Sequence, residues 1–128
     1  MKPELTMLAW SVLLAVVHMV IAVQGLVSSK GLAAALGNRE GVGELPGWAG
    51  RAVRASDNMA ANLPLFAVAV LSVVAVGTTN SMTMLGAQLF FYARIAYAVC
   101  YLGGIKGLRT LSWLASIAGI LLILWQLK

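Results

Sequence analysis

The sequence predicts an all-α membrane protein, a bundle of four transmembrane helices folded as one domain over residues 1–128. Three observations carry that prediction. The chain is 61% hydrophobic and only 10% charged, where a soluble domain carries about 25% charged residues. Its mean hydropathy is +0.91. The apolar residues gather into four segments, each long enough to cross a hydrocarbon core of roughly 20 helical residues. In lipid every backbone polar group must be satisfied internally, so segments of that length are helices. Helices are expected at about 5–26, 49–77, 81–103 and 107–127.

The first apolar run is Leu5 to Val23. Lys2 ahead of it suggests the n-region of a signal peptide, but Glu4 offsets the charge. The run also exceeds the roughly 7–15 residues of an h-region, and no A-x-A site follows, so it is expected to stay as a membrane span. His18 lies inside it with no carboxylate on its own helix. A neutral packed or interfacial histidine is expected there rather than a proton relay. Gln24 sits near the helix end.

Ser28 to Trp48 is the long link, with Gly31, Gly37, Gly41, Gly43, Gly47 and Pro46. Glycine and proline at this density predict irregular structure, and the segment is either a lid or an exposed connection. Gly31 to Leu36 has the composition for an added helical turn.

The second helix begins polar and becomes apolar. Arg51, Arg54, Asn58 and Asn62 recur at i, i+3, i+7 and i+11, which places them on one narrow face. Asp57 can neutralise at most one of the two arginines. From Leu63 to Val76 the helix is apolar. Gly77 to Asn80 is an uncharged turn, so the second and third helices are expected to be antiparallel neighbours.

The third helix carries Arg94, Tyr97 and Tyr101 at i, i+3 and i+7. Arg94 lies roughly 14 Å along the axis from Gly103, a depth at which a charge needs a partner. Cys100 points off that stripe. It is the only cysteine, so an intrachain disulfide is excluded. Gly103 to Gly107 forms the last turn, and its Gly103–Gly107 pair suits close helix contact or the turn itself. Arg109 and Thr110 open the fourth helix.

The net charge of +5 does not predict nucleic-acid binding, because the basic residues are scattered singly. They instead orient the chain. The first link and its flank hold Lys30, Arg39, Arg51 and Arg54, the third holds Lys106 and Arg109, and the second holds none. The positive-inside rule places the first and third links in the cytoplasm and both termini outside. Arg51, Arg54, Asn58, Tyr97, Tyr101 and Arg109 then share one membrane face.

That face has arginines, phenols, amides and hydroxyls. It lacks the paired carboxylates of glycosidase chemistry, the paired histidines or cysteines of a transition-metal site and any phosphate-binding glycine loop. An anion site is left, suited to a polycarboxylate or a thiolate held by forked guanidinium bonds. Taken singly, arginines at a helix mouth are commonly topology markers, and tyrosines near helix ends are commonly interface anchors. Their shared stripe is the stronger signal.

Arg51-x-x-Arg54-Ala55-x-x-Asn58, followed by Asn62-Leu63-Pro64-Leu65-Phe66, resembles the second-helix signature of the MAPEG superfamily, the membrane-associated proteins in eicosanoid and glutathione metabolism. Ala93-Arg94-x-x-Tyr97-x-x-x-Tyr101, followed by Arg109-Thr110, resembles its third- and fourth-helix signature. The order of motifs and the four-helix layout cover the entire chain, in the manner of a bacterial member. The resemblance implies a homotrimer in a bacterial inner membrane, with glutathione as co-substrate bound between subunits near the cytoplasmic face. It implies that Arg51, Arg54, Asn58, Asn62, Arg94, Tyr97, Tyr101 and Thr110 bind glutathione. It implies that Arg109 stabilises the thiolate, with no metal, against a small lipophilic electrophile or lipid hydroperoxide from the membrane lipid. An arginine about 4 Å from a thiolate contributes roughly 4 kcal/mol at an effective dielectric of 20. Lowering a thiol pKa by about two units takes about 2.7 kcal/mol.

Two positions depart from the family pattern. Ala61 stands where family enzymes carry a glutamate that binds the amino group of glutathione, and Thr110 stands where several relatives have serine. Losing the charge-assisted hydrogen bond of that glutamate weakens a complex by about 1.5–3 kcal/mol. A non-catalytic family member that binds lipid or a partner protein is therefore the alternative. A small multidrug-type transporter ranks third, because the first helix has no carboxylate between Leu5 and Val23.

Overall fold

The computed structural model describes residues 2–37 and 45–127. Four long helices dominate it: α1 (Pro3–Lys30), α3 (Gly47–Val76), α4 (Ser81–Leu102) and α5 (Lys106–Trp125). A short α2 (Leu32–Leu36) follows the first. All four are long and apolar enough to cross a membrane.

Each boundary has a local cause. Proline opens α1, where its missing N–H is not needed. The helix runs four residues beyond the expected end at 26, because Val27 to Lys30 carry no breaker. It stops at Gly31, whose φ of 89° only glycine adopts freely and whose N–H bonds the Val27 carbonyl at 2.8 Å. The anticipated helical turn is α2. The lid-or-connection expectation also rests on residues 38–44, which lie outside the described residues. Gly77, at φ 83°, ends α3 in the left-handed conformation. Asn80 then caps α4 with a complete capping box. Its side chain accepts from the Met82 and Thr83 N–H groups, and Thr83 Oγ1 accepts from the Asn80 N–H. Pro64 sits within α3 and removes one backbone bond, a loss that membrane helices tolerate.

Helices in lipid gain little from burying apolar surface against each other, so close backbone packing holds them. α4 packs chiefly on α5, and α1 on α3. A Cβ added to Gly86 would lie 2.7 Å from the Gly119 carbonyl oxygen, and one added to Gly119 would lie 2.6 Å from that of Gly86. Two backbones touch there. Gly25 makes the equivalent close approach to Ala49, where an added Cβ would lie 3.0 Å from Ala49 Cα. Gly107 meets nothing within 4 Å. The Gly103–Gly107 pair therefore serves the turn, and the small-residue crossing is Gly86–Gly119.

Phe66 of α3 stacks on Phe90 of α4, centroids 4.0 Å apart and planes 13° from parallel, at the middle of the core. The two helices are antiparallel. One turn from that stack toward the start of α3 therefore brings Asn62 level with Arg94. Lys2 Nζ donates to Thr79 Oγ1 at 3.2 Å, and Asn80 Nδ2 donates to Gln126 Oε1 at 2.9 Å. Both termini and the second link thus share one end of the bundle. The first and third links share the other, the charged end.

Candidate functional site

Five of the nine expected site residues form one connected array at the charged end and just inside it. Arg54 of α3 donates from Nε to the Tyr101 hydroxyl of α4 at 3.2 Å. Arg109 of α5 lies over the other part of that phenol, its Cζ 4.6 Å from the ring centroid. Tyr101 touches Tyr97 one turn deeper, centroids 5.4 Å apart. Tyr97 in turn carries Arg94, whose Cζ is 4.3 Å from its ring. Three cations and two phenols from three helices therefore stand in contact. The i, i+3, i+7 stripe on α4 supplies the rungs, and its neighbours supply the outer cations.

In these contacts each cation meets a ring or a hydroxyl. A ring face attracts a cation through its quadrupole, by about 0.5–2 kcal/mol, and carries no formal charge. Glu4, a described carboxylate, is at the opposite end of the bundle with Thr83. Asp57 is exposed on α3. Among the described residues the array therefore gathers three cations, with no carboxylate in contact with Arg94 or Arg109.

The remaining residues fall to either side. Arg51 donates from Nε to the Leu102 carbonyl at 3.0 Å. It satisfies one of the orphan acceptors at the end of α4 and favours the negative pole of that helix. Its forked side chain ties α3 to the third link. Asn62 is buried and donates from Nδ2 to the Asn58 carbonyl at 2.7 Å and to Asn58 Oδ1 at 3.1 Å. The two amides thus bond to each other along the helix. Thr110 is exposed and returns its hydroxyl to the Lys106 carbonyl at 3.4 Å. Ala61 is also exposed, on α3 beside Asn62.

Arg94 differs from the other arginines. It is completely buried within the chain, and its Nε, Nη1 and Nη2 have no hydrogen-bond partner among the described residues. Arg54 is exposed, and Arg51 and Arg109 are half-buried. Gly50 explains part of the placement of Arg54. A Cβ there would lie 3.1 Å from Arg54 Nη1 and would also clash with the Leu45 carbonyl.

The sequence matches the MAPEG family over residues 7–127. The chain belongs to the MAPEG family. It is an integral, multi-pass membrane protein with the four-helix bundle of that family. Comparison with curated proteins and with solved structures finds no match.

This MAPEG chain also has polar features that the sequence reading did not reach. Glu4 is buried, and its Oε2 accepts from Thr83 Oγ1 at 2.5 Å. The buried residues of α1 are Glu4, Ser11, His18, Gly25 and Leu26. The first four repeat every seventh residue, so this helix turns a polar and small seam inward. The heptad spacing of Glu4, Ser11 and His18 was the available signal. His18 is packed, as expected for a histidine without an acid on its helix, and its Nδ1 lies 2.8 Å from the Leu14 carbonyl.

Proposed function

We propose that this MAPEG protein is a glutathione-dependent membrane transferase or peroxidase acting on lipophilic electrophiles or lipid hydroperoxides. The observation that carries this reading is the convergence of Arg54 and Arg109, from two helices, on the single phenol of Tyr101. Two guanidinium groups held around one ring at a helix mouth suit an anionic ligand that brings both carboxylates and a thiolate.

In this reading Arg51, Arg54, Asn58, Asn62, Tyr97, Tyr101 and Thr110 orient the tripeptide. Arg94 acts from behind Tyr97, because its nitrogens are enclosed by the chain. Arg109 stabilises the thiolate. The thiolate sulfur attacks an electrophilic carbon and the leaving group departs with its electron pair. With a hydroperoxide, two glutathiones are oxidised to the disulfide while the hydroperoxide is reduced to alcohol and water. The site lies between subunits of a homotrimer in a bacterial inner membrane. The charged end faces the cytoplasm, where the excess of lysine and arginine in its links would put it, and the hydrophobic substrate arrives from the bilayer.

A specific observation favours a second reading, a non-catalytic lipid- or partner-binding member. Ala61 is exposed next to the amide pair and has no charge to meet the glutathione amino group. Turnover separates the two. Purified protein in detergent is given glutathione with an aryl halide, then with cumene hydroperoxide. Glutathione consumption above the uncatalysed rate, lost in Arg109→Ala, supports the enzyme. Glutathione consumption at the uncatalysed rate with both substrates supports the binding protein.

A further inference from the structure

Arg51 and Arg54 stand three residues apart on α3 and meet consecutive residues of α4. Arg54 Nε donates to the Tyr101 hydroxyl at 3.2 Å, and Arg51 Nε donates to the Leu102 carbonyl at 3.0 Å. The first bond belongs to the array. The second is made to backbone, at the last residue of α4, and it commits the Nε of Arg51 to the chain rather than to a ligand.

The end of α4 shows what that bond completes. A helix C-terminus leaves its last carbonyls without intrahelical donors. Here the Val99, Cys100 and Tyr101 carbonyls accept from the N–H groups of Gly103, Ile105 and Gly104 at 3.0, 2.8 and 3.1 Å. Gly104 makes this possible in the left-handed region, at φ 76°. The turn thus answers the carbonyls up to Tyr101, and the Leu102 carbonyl is answered from α3.

Gly103, Gly104 and Ile105 alone join α4 to α5. Two adjacent glycines leave that backbone unusually free. α5 opens without a side-chain cap, and it places Lys106 and Arg109 near the positive pole of the helix, where cations are disfavoured. The Gly86–Gly119 crossing that holds α4 to α5 is ten residues from Arg109, roughly 15 Å along α5. These features leave the start of α5 loosely held, and a bond from α3 to the carbonyl just before the glycine pair restrains it. Ile105 passes the restraint on. Its N–H bonds the Cys100 carbonyl, and its own carbonyl accepts from the Arg109 N–H at 3.3 Å.

We propose that Arg51 is a positioning residue for Arg109. By holding the Leu102 carbonyl it sets the start of α5, and so the place of the Arg109 guanidinium relative to the bound thiolate. It serves the tripeptide through the third link and not by touching it. The proposal rests on the glutathione reading for what Arg109 does, and on the α3–α4 bond for where Arg109 is held.

Three quantities are measured for wild type, Arg51→Met, Arg109→Ala and the double variant. They are glutathione affinity by calorimetry, the thiol pKa of bound glutathione from thiolate absorbance against pH, and amide hydrogen exchange over residues 103–110. Arg51→Met is expected to raise the thiol pKa by roughly one unit, about half the effect of Arg109→Ala, and to lower kcat about tenfold near neutral pH. Its glutathione affinity is expected to stay within about twofold of wild type, and exchange at Ile105 and Arg109 to quicken about tenfold. Arg54→Ala should leave that exchange unchanged, and Arg51→Lys, which keeps a donor, should restore part of it. The Arg51 charge also acts through space, and the double variant separates the two effects because independent effects add. Once Arg109 is replaced, Arg51→Met should shift the thiol pKa no further. Additive pKa shifts overturn the proposal. So does tenfold weaker glutathione binding in Arg51→Met with unchanged exchange, which makes Arg51 a direct ligand. Wild-type protein that binds no glutathione sinks the glutathione reading by itself, and exchange then decides the positioning role. A quickened link in Arg51→Met upholds that role, and an unchanged one overturns it.

Discussion

The two ends of the bundle treat polar groups in opposite ways. At the terminal end, several donors and acceptors answer one another within the chain, although the buried Thr78 hydroxyl has no partner among the described residues. Glu4 meets Thr83, Lys2 meets Thr79, and Asn80 both caps α4 and reaches Gln126. At the charged end, Arg54 and Arg109 gather on a phenol, and Arg94 lies against another. Satisfied polar groups fix helix ends, and their value is stability. Cations set against rings gain a quadrupole attraction there, and in the proposed reading their value is binding. The difference separates a structural polar cluster from a candidate site although both are polar and both sit at helix ends.

Substitutions at the charged end should therefore change function with little effect on stability, and the largest such effect is expected at Arg109. Arg109→Ala should lower kcat/KM for glutathione conjugation about a hundredfold, the equivalent of a two-unit rise in thiol pKa, while glutathione affinity changes by much less. Ultraviolet difference spectra of the bound thiolate check the cause. The sign is fixed: without the cation the thiol ionises at higher pH, so the variant's rate should recover as pH rises. Next in size is Arg54→Ala. Removing a charge-assisted hydrogen bond of about 1.5–3 kcal/mol should weaken glutathione binding tenfold to hundredfold, with Tm nearly unchanged.

The opposite pattern is expected at the terminal end. Thr83→Val keeps the shape and leaves the Glu4 carboxylate buried without its donor. It should cost about 1–3 kcal/mol of stability and lower Tm, while glutathione affinity stays at the wild-type value. A loss of glutathione affinity in Thr83→Val comparable to that in Arg54→Ala would erase the distinction between the two ends. The smallest effect sharpens the comparison from the other side. Ala61→Glu adds a carboxylate at an exposed position of α3 and should tighten glutathione binding about tenfold, the low end of a charge-assisted bond. An unchanged affinity there would remove the amino group from that neighbourhood.

Much of this was legible in the sequence. Four long apolar runs leave lipid-exposed backbone no choice but helix, so the spans were readable in the sequence, the largest difference being the four residues by which α1 outruns its expected end. The stripe of Arg94, Tyr97 and Tyr101 was readable because helical spacing alone puts three residues on one face. Contacts between helices were not readable. Nothing in the spacing of Arg51 says that it meets the Leu102 carbonyl, and nothing in that of Arg94 says that the chain encloses it completely. Both depend on how α3 and α4 pair. The crossing at Gly86 and Gly119 was hidden for the same reason: each glycine is isolated on its own helix, and only the packed pair shows why neither can carry a Cβ. Glu4 was read as an offset to Lys2, because its partner lies in a different helix.

The central claim is that the charged end binds glutathione, and calorimetric titration of glutathione into the purified protein in detergent tests it most directly. The account predicts saturable binding in the micromolar to low-millimolar range, abolished by Arg54→Ala and unchanged by Thr83→Val. No binding heat up to cellular glutathione concentrations, in protein whose thermal unfolding shows it to be folded, would contradict it.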